Sequence, residues 1–247
     1  MLHMNITLPD GSIKELPKGS TGLDLAASIG PGLAKAALAV VVNGDQKDLS
    51  DSINEDAEVS IITINSDEGL EIMRHTLTAQ VLARAVQNLY PGTKLAIGPT
   101  INDGFYYDFE APKVISNDDL ENIEKEMNKI IASASNITKR FHSKKEAISI
   151  FKDKGESYKE IIINEADQDD NFQLYYQDND EFVDLCRGPH LPNLRHIGAF
   201  KLTKVAGAYW KGSAENKMLT RIYGTAWKNE KDLKSHLLAI EEAEKRD

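Results

Sequence analysis

Residues 184–190, DLCRGPH, place a thiol and an imidazole four positions apart across a Gly-Pro bend. Cys186 and His190 are side chains that can ligate a metal or take part in proton transfer. Gly188 tolerates unusual backbone angles and Pro189 has a fixed one, so the segment is predicted to form a tight turn that presents both side chains. The pair alone favours neither metal ligation nor acid-base chemistry in water.

The composition is that of a protein with more than one hydrophobic core. The chain has 247 residues, 41% of them hydrophobic, which predicts two or more domains. Cys186 is the single cysteine, so an internal disulfide is excluded and a reducing compartment is favoured. No apolar run approaches the roughly 20 residues that span a bilayer, and the first residues lack the features of a signal peptide. We therefore predict a cytoplasmic protein.

The charge is unevenly distributed along the chain. The net charge of -10 works against binding to a polyanion, because phosphate contacts dominate the affinity of proteins for nucleic acids. Residues 1–70 hold four lysines and eleven acidic residues, whereas residues 195–234 hold nine basic and three acidic residues. The C-terminal part is therefore either a face for nucleic acid or simply a solvated surface.

The first 64 residues predict a small β-rich unit. Hydrophobic alternation on either side of a turn at 9–12 indicates a hairpin, which one helix and two apolar strands follow. The predicted strands are 5–8, 13–16, 37–42 and 59–64, and the predicted helix is 21–29. This order resembles the ubiquitin-like β-grasp module called the TGS domain, which occurs in threonyl-tRNA synthetases and in some GTPases and stringent-response enzymes. The resemblance implies an RNA- or ribosome-associated accessory module.

The remainder of the chain predicts a larger unit in which helices and strands are segregated. A polar linker at 65–69 precedes a helix whose buried stripe is Leu77, Val81, Ala85 and Leu89. Further predicted helices are 116–130, 144–152 and 230–246, and further predicted strands are 97–99, 103–109, 174–176, 182–185, 200–202 and 218–224. Few strand-helix-strand alternations occur, so the predicted fold class is α+β with an antiparallel sheet in the second domain.

Five short motifs in this second unit resemble threonyl-tRNA synthetase. They are GFYYDF at 104–109, GESYK at 155–159, VDLCRGPH at 183–190, GAYWKG at 207–212 and RIYGTAW at 221–227. They occur in the order of that family's N-terminal editing domain, with the β-grasp module ahead of them. The resemblance implies a TGS domain at 1–64, a linker at 65–69, an editing domain at 70–228 and a C-terminal helix at 229–247. Nothing here resembles the family's catalytic core or anticodon-binding domain, so we expect an N-terminal piece, a freestanding editing protein being the alternative.

The resemblance implies hydrolysis of mischarged seryl-tRNA(Thr). Serine is smaller than threonine by one methyl group, so a pocket that admits threonine cannot exclude serine by size, and a second site must remove it. Hydrolysis of the ester needs a positioned water, a base and a donor near the developing oxyanion. No cofactor is implied. The implied partners are the acceptor 3'-end of tRNA(Thr) with its seryl-adenosine and the absent synthetase domains, and this piece is expected to be a monomer.

The resemblance also implies roles for individual positions. Lys159 corresponds to the family's lysine that positions water or stabilises the oxyanion, and Cys186 and His190 correspond to its Cys-x-x-x-His half-site. Asp184 corresponds to an acidic residue near the substrate amine. The adenosine and seryl pocket would be lined by Gly98, Tyr107 and Leu185. From the residue types alone, the lysine could be solvated, the aspartate could cap a turn and the tyrosine could belong to the core.

The first helix of the second unit departs from the family pattern. The family places His-x-x-x-His on one face of this helix, whereas this chain has Thr76 and Gln80 at those positions and His75 displaced by one residue. On a regular helix a shift of one residue turns a side chain by about 100 degrees. Either an irregular backbone returns His75 to the site as a catalytic residue, or the site binds without reacting, or other groups bring in the water. Thr76 and Gln80 are expected to contact the substrate.

Two further interpretations stay open. The related alanyl editing fold binds metal through a His/His/Cys/His set, which raises the question of zinc. His75, Cys186 and His190 are too few donors for a tight tetrahedral site, so no metal is expected.

Alternatively, the two domains bind the tRNA acceptor arm through the basic stretch at 201–234 and do not hydrolyse the ester. An accessory role of the GTPase or stringent-response type would fit residues 1–64 only.

Overall fold

The computed structural model describes residues 2–247, which form eight α-helices and thirteen β-strands. The helices are α1 (Gly22–Ile29), α2 (Pro31–Ala36), α3 (Asp67–Thr76), α4 (Ala83–Leu89), α5 (Leu120–Ala132), α6 (Lys144–Asp153), α7 (Ser157–Glu165) and α8 (Glu230–Arg246). The strands are β1 (His3–Thr7), β2 (Ile13–Pro17), β3 (Ala39–Val42), β4 (Asp45–Asp48), β5 (Ala57–Ile62), β6 (Lys94–Leu95), β7 (Thr100–Ile101), β8 (Gly104–Glu110), β9 (Ile137–His142), β10 (Phe172–Gln177), β11 (Val183–Leu185), β12 (Ala199–Tyr209) and β13 (Met218–Trp227). Within residues 2–247, no helix has the length and apolar character needed to cross a membrane.

The N-terminal sheet has the strand order β2-β1-β5-β3-β4. β1 and β5 are parallel, and the other neighbouring strands are antiparallel. α1 begins after Thr21, which forms a capping box with Asp24, and the helix packs against the sheet through Leu25 and Ala26. This arrangement confirms the predicted β-grasp unit. The short edge strand β4 and the helix α2 were not predicted.

The remaining strands form two antiparallel sheets. One has the order β11-β10-β9, and the other has the order β12-β13-β8-β6, with β7 also paired to β8. The larger core contains the fully buried side chains Phe105, Tyr107 and Phe109 of β8, and α5 contributes Ile123 and Met127 to it. The predicted α+β class with an antiparallel second sheet is confirmed.

The connection between the two units differs from the prediction. Ser66 Oγ accepts a hydrogen bond from the Gly69 N–H at 3.0 Å, so α3 begins at Asp67, inside the segment predicted as a linker. Ile62 of β5 belongs to the same hydrophobic core as α3, so buried contacts join the two units. The helix thus begins within residues 65–69, because the side chain of Ser66 caps it there.

A π-helical turn, Leu77–Leu82, joins α3 to α4. The Ala83 N–H bonds to the Thr78 carbonyl, five residues back, so the turn contains one residue more than a regular helix would. Of the predicted stripe, Leu77, Val81 and Ala85 are fully buried, whereas Leu89, the last residue of α4, is exposed. Side chains before and after the turn point in directions that a regular helix would not give them.

Two segments near the site also differ from the prediction. α7, which carries Lys159, was not predicted. Residues 97–99 were predicted to be a strand but have no regular structure. Pro99 lacks an N–H for a strand partner, and Gly98 lies so close to the Tyr107 ring that a Cβ there would collide with it. The chain at 97–99 therefore follows the surface of β8 without pairing regularly.

Candidate active site

A cavity of about 550 Å³ lies between α3, α7 and the strands β10 and β11. This volume is in the range of pockets that bind small molecules. Of the ten site residues predicted from the sequence, six line it: His75, Gly98, Lys159, Asp184, Leu185 and Cys186. The other four are buried and do not line it: Thr76, Gln80, Tyr107 and His190. A lysine, a thiol and an imidazole that are distant in the sequence therefore meet at one cavity.

His75 reaches this cavity because of the π-helical turn that follows it. The turn absorbs one residue within Leu77–Leu82, which offsets the one-residue displacement of His75 along the sequence. His75 Nε2 lies 3.3 Å from Cys186 Sγ. Of the three readings of this helix, the structure has the geometry of the first, in which irregular backbone returns His75 to the site.

Burial keeps the His75 imidazole neutral. Desolvation lowers its pKa from the ordinary value, although the carboxylates of Asp184 and Glu71 partly oppose this effect. The neutral imidazole is the form that can accept a proton from water at neutral pH. His75 is thus suited to act as a general base.

Cys186 is held as a protonated thiol. Burial raises the pKa of this thiol to about 12, and the Gly188 N–H, which donates to Sγ at 3.2 Å, opposes the rise only in part. A thiol with this pKa is a poor nucleophile, because the thiolate is the reactive form. The contact with His75 Nε2 instead allows the S–H to orient the imidazole.

Lys159 is anchored at the cavity wall by a buried carboxylate. Its Nζ lies 2.8 Å from Asp184 Oδ1, and both side chains are almost completely buried. Asp184 Oδ1 also accepts the Leu185 N–H at 2.8 Å, and Oδ2 accepts the Tyr107 hydroxyl at 3.1 Å. These donors fix the carboxylate, and the carboxylate fixes the ammonium at the edge of the cavity.

Tyr107, which was predicted to line the substrate pocket, does not line this cavity. The side chain is fully buried in the core beneath Gly98, and its hydroxyl donates to Asp184. A β-strand alternates its side chains between the two faces of a sheet, and Tyr107 falls on the inner face of β8. It supports Asp184 from behind the cavity wall.

His190 lies behind His75 and is buried. The two imidazole centroids are 4.6 Å apart, and burial lowers the pKa of His190 well below its usual value. Thr76 Oγ1 donates to the Ile72 carbonyl at 2.9 Å and accepts the Leu191 N–H at 3.0 Å. A hydroxyl has one proton, and Thr76 donates it to the Ile72 carbonyl. In the 2.9 Å contact between Thr76 Oγ1 and His190 Nδ1, the imidazole Nδ1–H is therefore the donor. Nε2 is then unprotonated and has no hydrogen-bond partner among residues 2–247.

Thr76 thus holds the His190 imidazole and the Leu191 backbone in place, and its contact with the substrate stays a prediction. The isosteric change Thr76→Val removes the acceptor of two buried N–H groups, at Leu191 and His190. We expect the free energy of unfolding to fall by about 1–3 kcal/mol, the usual cost of an unpaired buried donor, whereas Thr76→Ser should stay close to wild type. Urea unfolding of the two variants measures the difference, and equal stabilities would contradict this role.

Two domain families match the chain. Residues 4–63 match the TGS domain, and residues 173–223 match the threonyl and alanyl tRNA synthetase second additional domain. The threonine–tRNA ligase of Francisella tularensis subsp. tularensis (strain FSC 198) is 50% identical over 244 residues, and that of Hahella chejuensis (strain KCTC 2396) is 51% identical over 242 residues. Almost the whole chain matches the N-terminal region of bacterial threonyl-tRNA synthetases. The alignments cover 99% and 98% of this chain and 38% of each relative.

Gln80, the second departure from the family pattern, lies outside the cavity. Its carbonyl and its Oε1 accept hydrogen bonds from Gln177 Nε2 at 2.8 and 3.2 Å. Its own Nε2 is buried and has no partner among the described residues. Gln80 therefore faces β10 and does not line the cavity, and its contact with the substrate stays a prediction.

The side chains of His75, Cys186 and His190 also have the composition of a metal site. One ligand atom from each lies within 4.8 Å of the others, and within residues 2–247 this is the single cluster of three or more such donors. The neutral imidazoles suit metal ligation. A thiol binds a metal only after it loses its proton, and the three donors are one fewer than a closed structural zinc site uses. The fit to a metal is incomplete.

Four polar residues of the cavity were not predicted: Gln168, Asn171, Gln173 and Arg187. Gln173 on β10 and Arg187 beside Cys186 line it, and both also line a neighbouring cavity of about 480 Å³ between the two units. Arg187 lies inside the 184–190 motif, so its position next to the thiol was a usable signal. Gln173 carries no such signal, because its place depends on the pairing of β10 with β9 and β11.

Proposed function

We propose that this cavity hydrolyses the ester of mischarged seryl-tRNA(Thr). The observation that supports this most strongly is that the neutral imidazole of His75 and the anchored ammonium of Lys159 line one cavity. A base and a cationic donor on the two sides of a small pocket are what ester hydrolysis needs. The similarity to threonine–tRNA ligases supports an aminoacyl ester on tRNA as the substrate.

In the proposed reaction a water attacks the seryl carbonyl carbon and His75 takes the proton of the water. The S–H of Cys186 is a weak donor, so the water can replace it at Nε2. The carbonyl electrons move to oxygen, where the Lys159 ammonium stabilises the negative charge. The bond from the carbonyl carbon to the ribose 3'-oxygen then breaks, and that oxygen takes the proton from His75. The products are serine and tRNA with a free 3'-hydroxyl.

The rival function is binding of the acceptor arm without hydrolysis. It would depend on the basic stretch at 201–234, which contains eight basic residues. Four of them form ion pairs with acidic side chains: Lys201 with Glu124, Lys211 with Glu165, Lys217 with Glu110, and Arg221 with Asp108. These pairs reduce the positive charge that is available to bind tRNA phosphates. This is an argument for hydrolysis over binding of the acceptor arm through charge alone.

Deacylation of seryl-tRNA(Thr), with threonyl-tRNA(Thr) as the control substrate, separates the two functions. We expect hydrolysis well above the spontaneous rate and a preference for the seryl ester, of the order of 10- to 200-fold for one methyl group. Tight binding of seryl-tRNA(Thr) with no excess hydrolysis would establish the binding function. We also propose that the protein acts on this tRNA as a monomer.

The proposed reaction needs no metal. We expect protein treated with EDTA and dialysed to hydrolyse seryl-tRNA(Thr) at the same rate as untreated protein, because in the proposed reaction the imidazole of His75 accepts the proton of the water directly. The measurement is a pair of deacylation time courses, together with a Co²⁺ titration followed by absorbance. Loss of activity on chelation, restored by Zn²⁺, would contradict the proposal, as would a thiolate-to-Co²⁺ charge-transfer band.

A further inference from the structure

The carboxylate of Asp48 reaches from the N-terminal unit into the second unit. Asp48 is the last residue of β4 and is only 6% exposed. Its Oδ1 accepts the backbone N–H of His190 at 2.9 Å, and its Oδ2 accepts the Tyr175 hydroxyl at 2.6 Å. One side chain of the TGS domain thus bonds directly to the segment that carries Cys186 and His190.

Tyr175 extends this contact to the Gly-Pro bend. Its ring meets the His190 ring edge-on, with centroids 4.6 Å apart and planes at 90°. Gly188 has a φ of +66°, and a Cβ at this position would collide with the Tyr175 hydroxyl. The bend is therefore packed against a tyrosine whose hydroxyl is held by Asp48.

The charge of Asp48 is balanced within the same contact. Lys139 Nζ lies 3.0 Å from Asp48 Oδ2 and 2.6 Å from Asp51 Oδ1. Asp51 also accepts the backbone N–H of Asp48 at 3.0 Å, but within residues 2–247 it forms no hydrogen bond or ion pair with His190 or Tyr175. The two aspartates share a lysine, and of the two only Asp48 is bonded to the bend.

We propose that Asp48 is a positioning residue of the hydrolytic site, so that the TGS domain completes the site of the second domain. By holding the His190 N–H and the Tyr175 hydroxyl, Asp48 fixes the bend at 186–190. The bend in turn sets the distance from Cys186 to His75 and the stacking of His190 on His75. This inference rests on the proposed function, because the effect it describes is on the reaction at His75.

Asp48→Asn and Asp51→Asn are a matched pair of variants, since each removes one negative charge from beside Lys139. We expect Asp48→Asn to lower the kcat for seryl-tRNA(Thr) by about 10-fold and Asp48→Ala by up to about 100-fold, with KM nearly unchanged, because small displacements of catalytic groups have effects of this size. The asparagine should retain more activity, because its amide oxygen can still accept the His190 N–H. Asp51→Asn should leave kcat near the wild-type value.

Equal kcat values for Asp48→Asn and Asp51→Asn would overturn the inference. The imidazole ¹⁵N signals of His75 and His190 provide a second test that needs no activity. We expect these signals to shift in Asp48→Asn and to stay in place in Asp51→Asn, and no difference between the variants would overturn the positioning role. If wild-type protein fails to hydrolyse the ester, the proposed function fails, and the ¹⁵N comparison still decides whether Asp48 holds the bend.

Discussion

Replacing Lys159 by methionine is expected to lower the kcat for seryl-tRNA(Thr) hydrolysis by about 100- to 1,000-fold, the usual cost of losing an oxyanion donor. Its ammonium is the cation that Asp184 anchors at the cavity. Methionine keeps much of the side-chain volume but cannot donate a hydrogen bond to the developing oxyanion. Single-turnover deacylation with excess protein measures this effect separately from tRNA binding.

The same change also breaks a buried ion pair. Lys159→Met leaves the Asp184 carboxylate buried without its cation, which should cost about 3–5 kcal/mol of unfolding free energy. The control is the double variant Lys159→Met with Asp184→Asn, in which neither charge remains. We expect the double variant to regain most of the stability and none of the activity. If hydrolysis returned together with stability, the ammonium would have no catalytic role.

Replacing His75 by alanine is expected to lower kcat by about 100- to 10,000-fold, the range found for loss of a general base. The control is His3→Ala, which removes an exposed imidazole from β1, outside the cavity. Lys159 and the rest of the cavity lining are retained in His75→Ala, so the KM should change little. An unchanged rate in His75→Ala would mean that another group accepts the proton of the water.

The pH dependence of the wild-type reaction follows from the state of His75. Burial lowers the pKa of its imidazole, so the neutral form that accepts a proton persists below the ordinary histidine pKa of about 6.5. We expect kcat to stay constant as the pH falls from 8 through that value and to decline only at lower pH, when the imidazole becomes protonated. A decline centred at or above the ordinary value would show that the base is exposed to solvent.

Lys159 and Cys186 could be assigned to one site from the sequence only through a family resemblance. Their spacing of 27 positions carries no geometric information, and the helix that presents Lys159 was not predicted. The short motifs assigned both residues to one site because the motifs occur in the same order as in the family. Hydrophobic periodicity gave no indication that α7 borders β11. Resemblance thus supplied the set of residues, and the structure supplied their arrangement.

His75 and Asp48 show why the remainder could not be predicted. The residues of the π-helical turn, Leu77–Leu82, read as ordinary helix, so a regular rotation of about 100 degrees per residue directed His75 away from the site. Asp48 belongs to a strongly acidic segment, in which an aspartate is expected to be exposed to solvent. Its burial against His190 depends on the packing of two units, which no local pattern records.

A crystal structure of the protein with a non-hydrolysable 3'-serylamino analogue of seryl-adenosine tests the central claim most directly. We expect the seryl carbonyl carbon to lie between the His75 imidazole and Lys159 Nζ, with its oxygen toward the ammonium and room for a water beside Nε2. Binding of the analogue in the neighbouring cavity between the two units, or with its carbonyl beyond hydrogen-bond reach of Lys159, would contradict the proposed hydrolytic site.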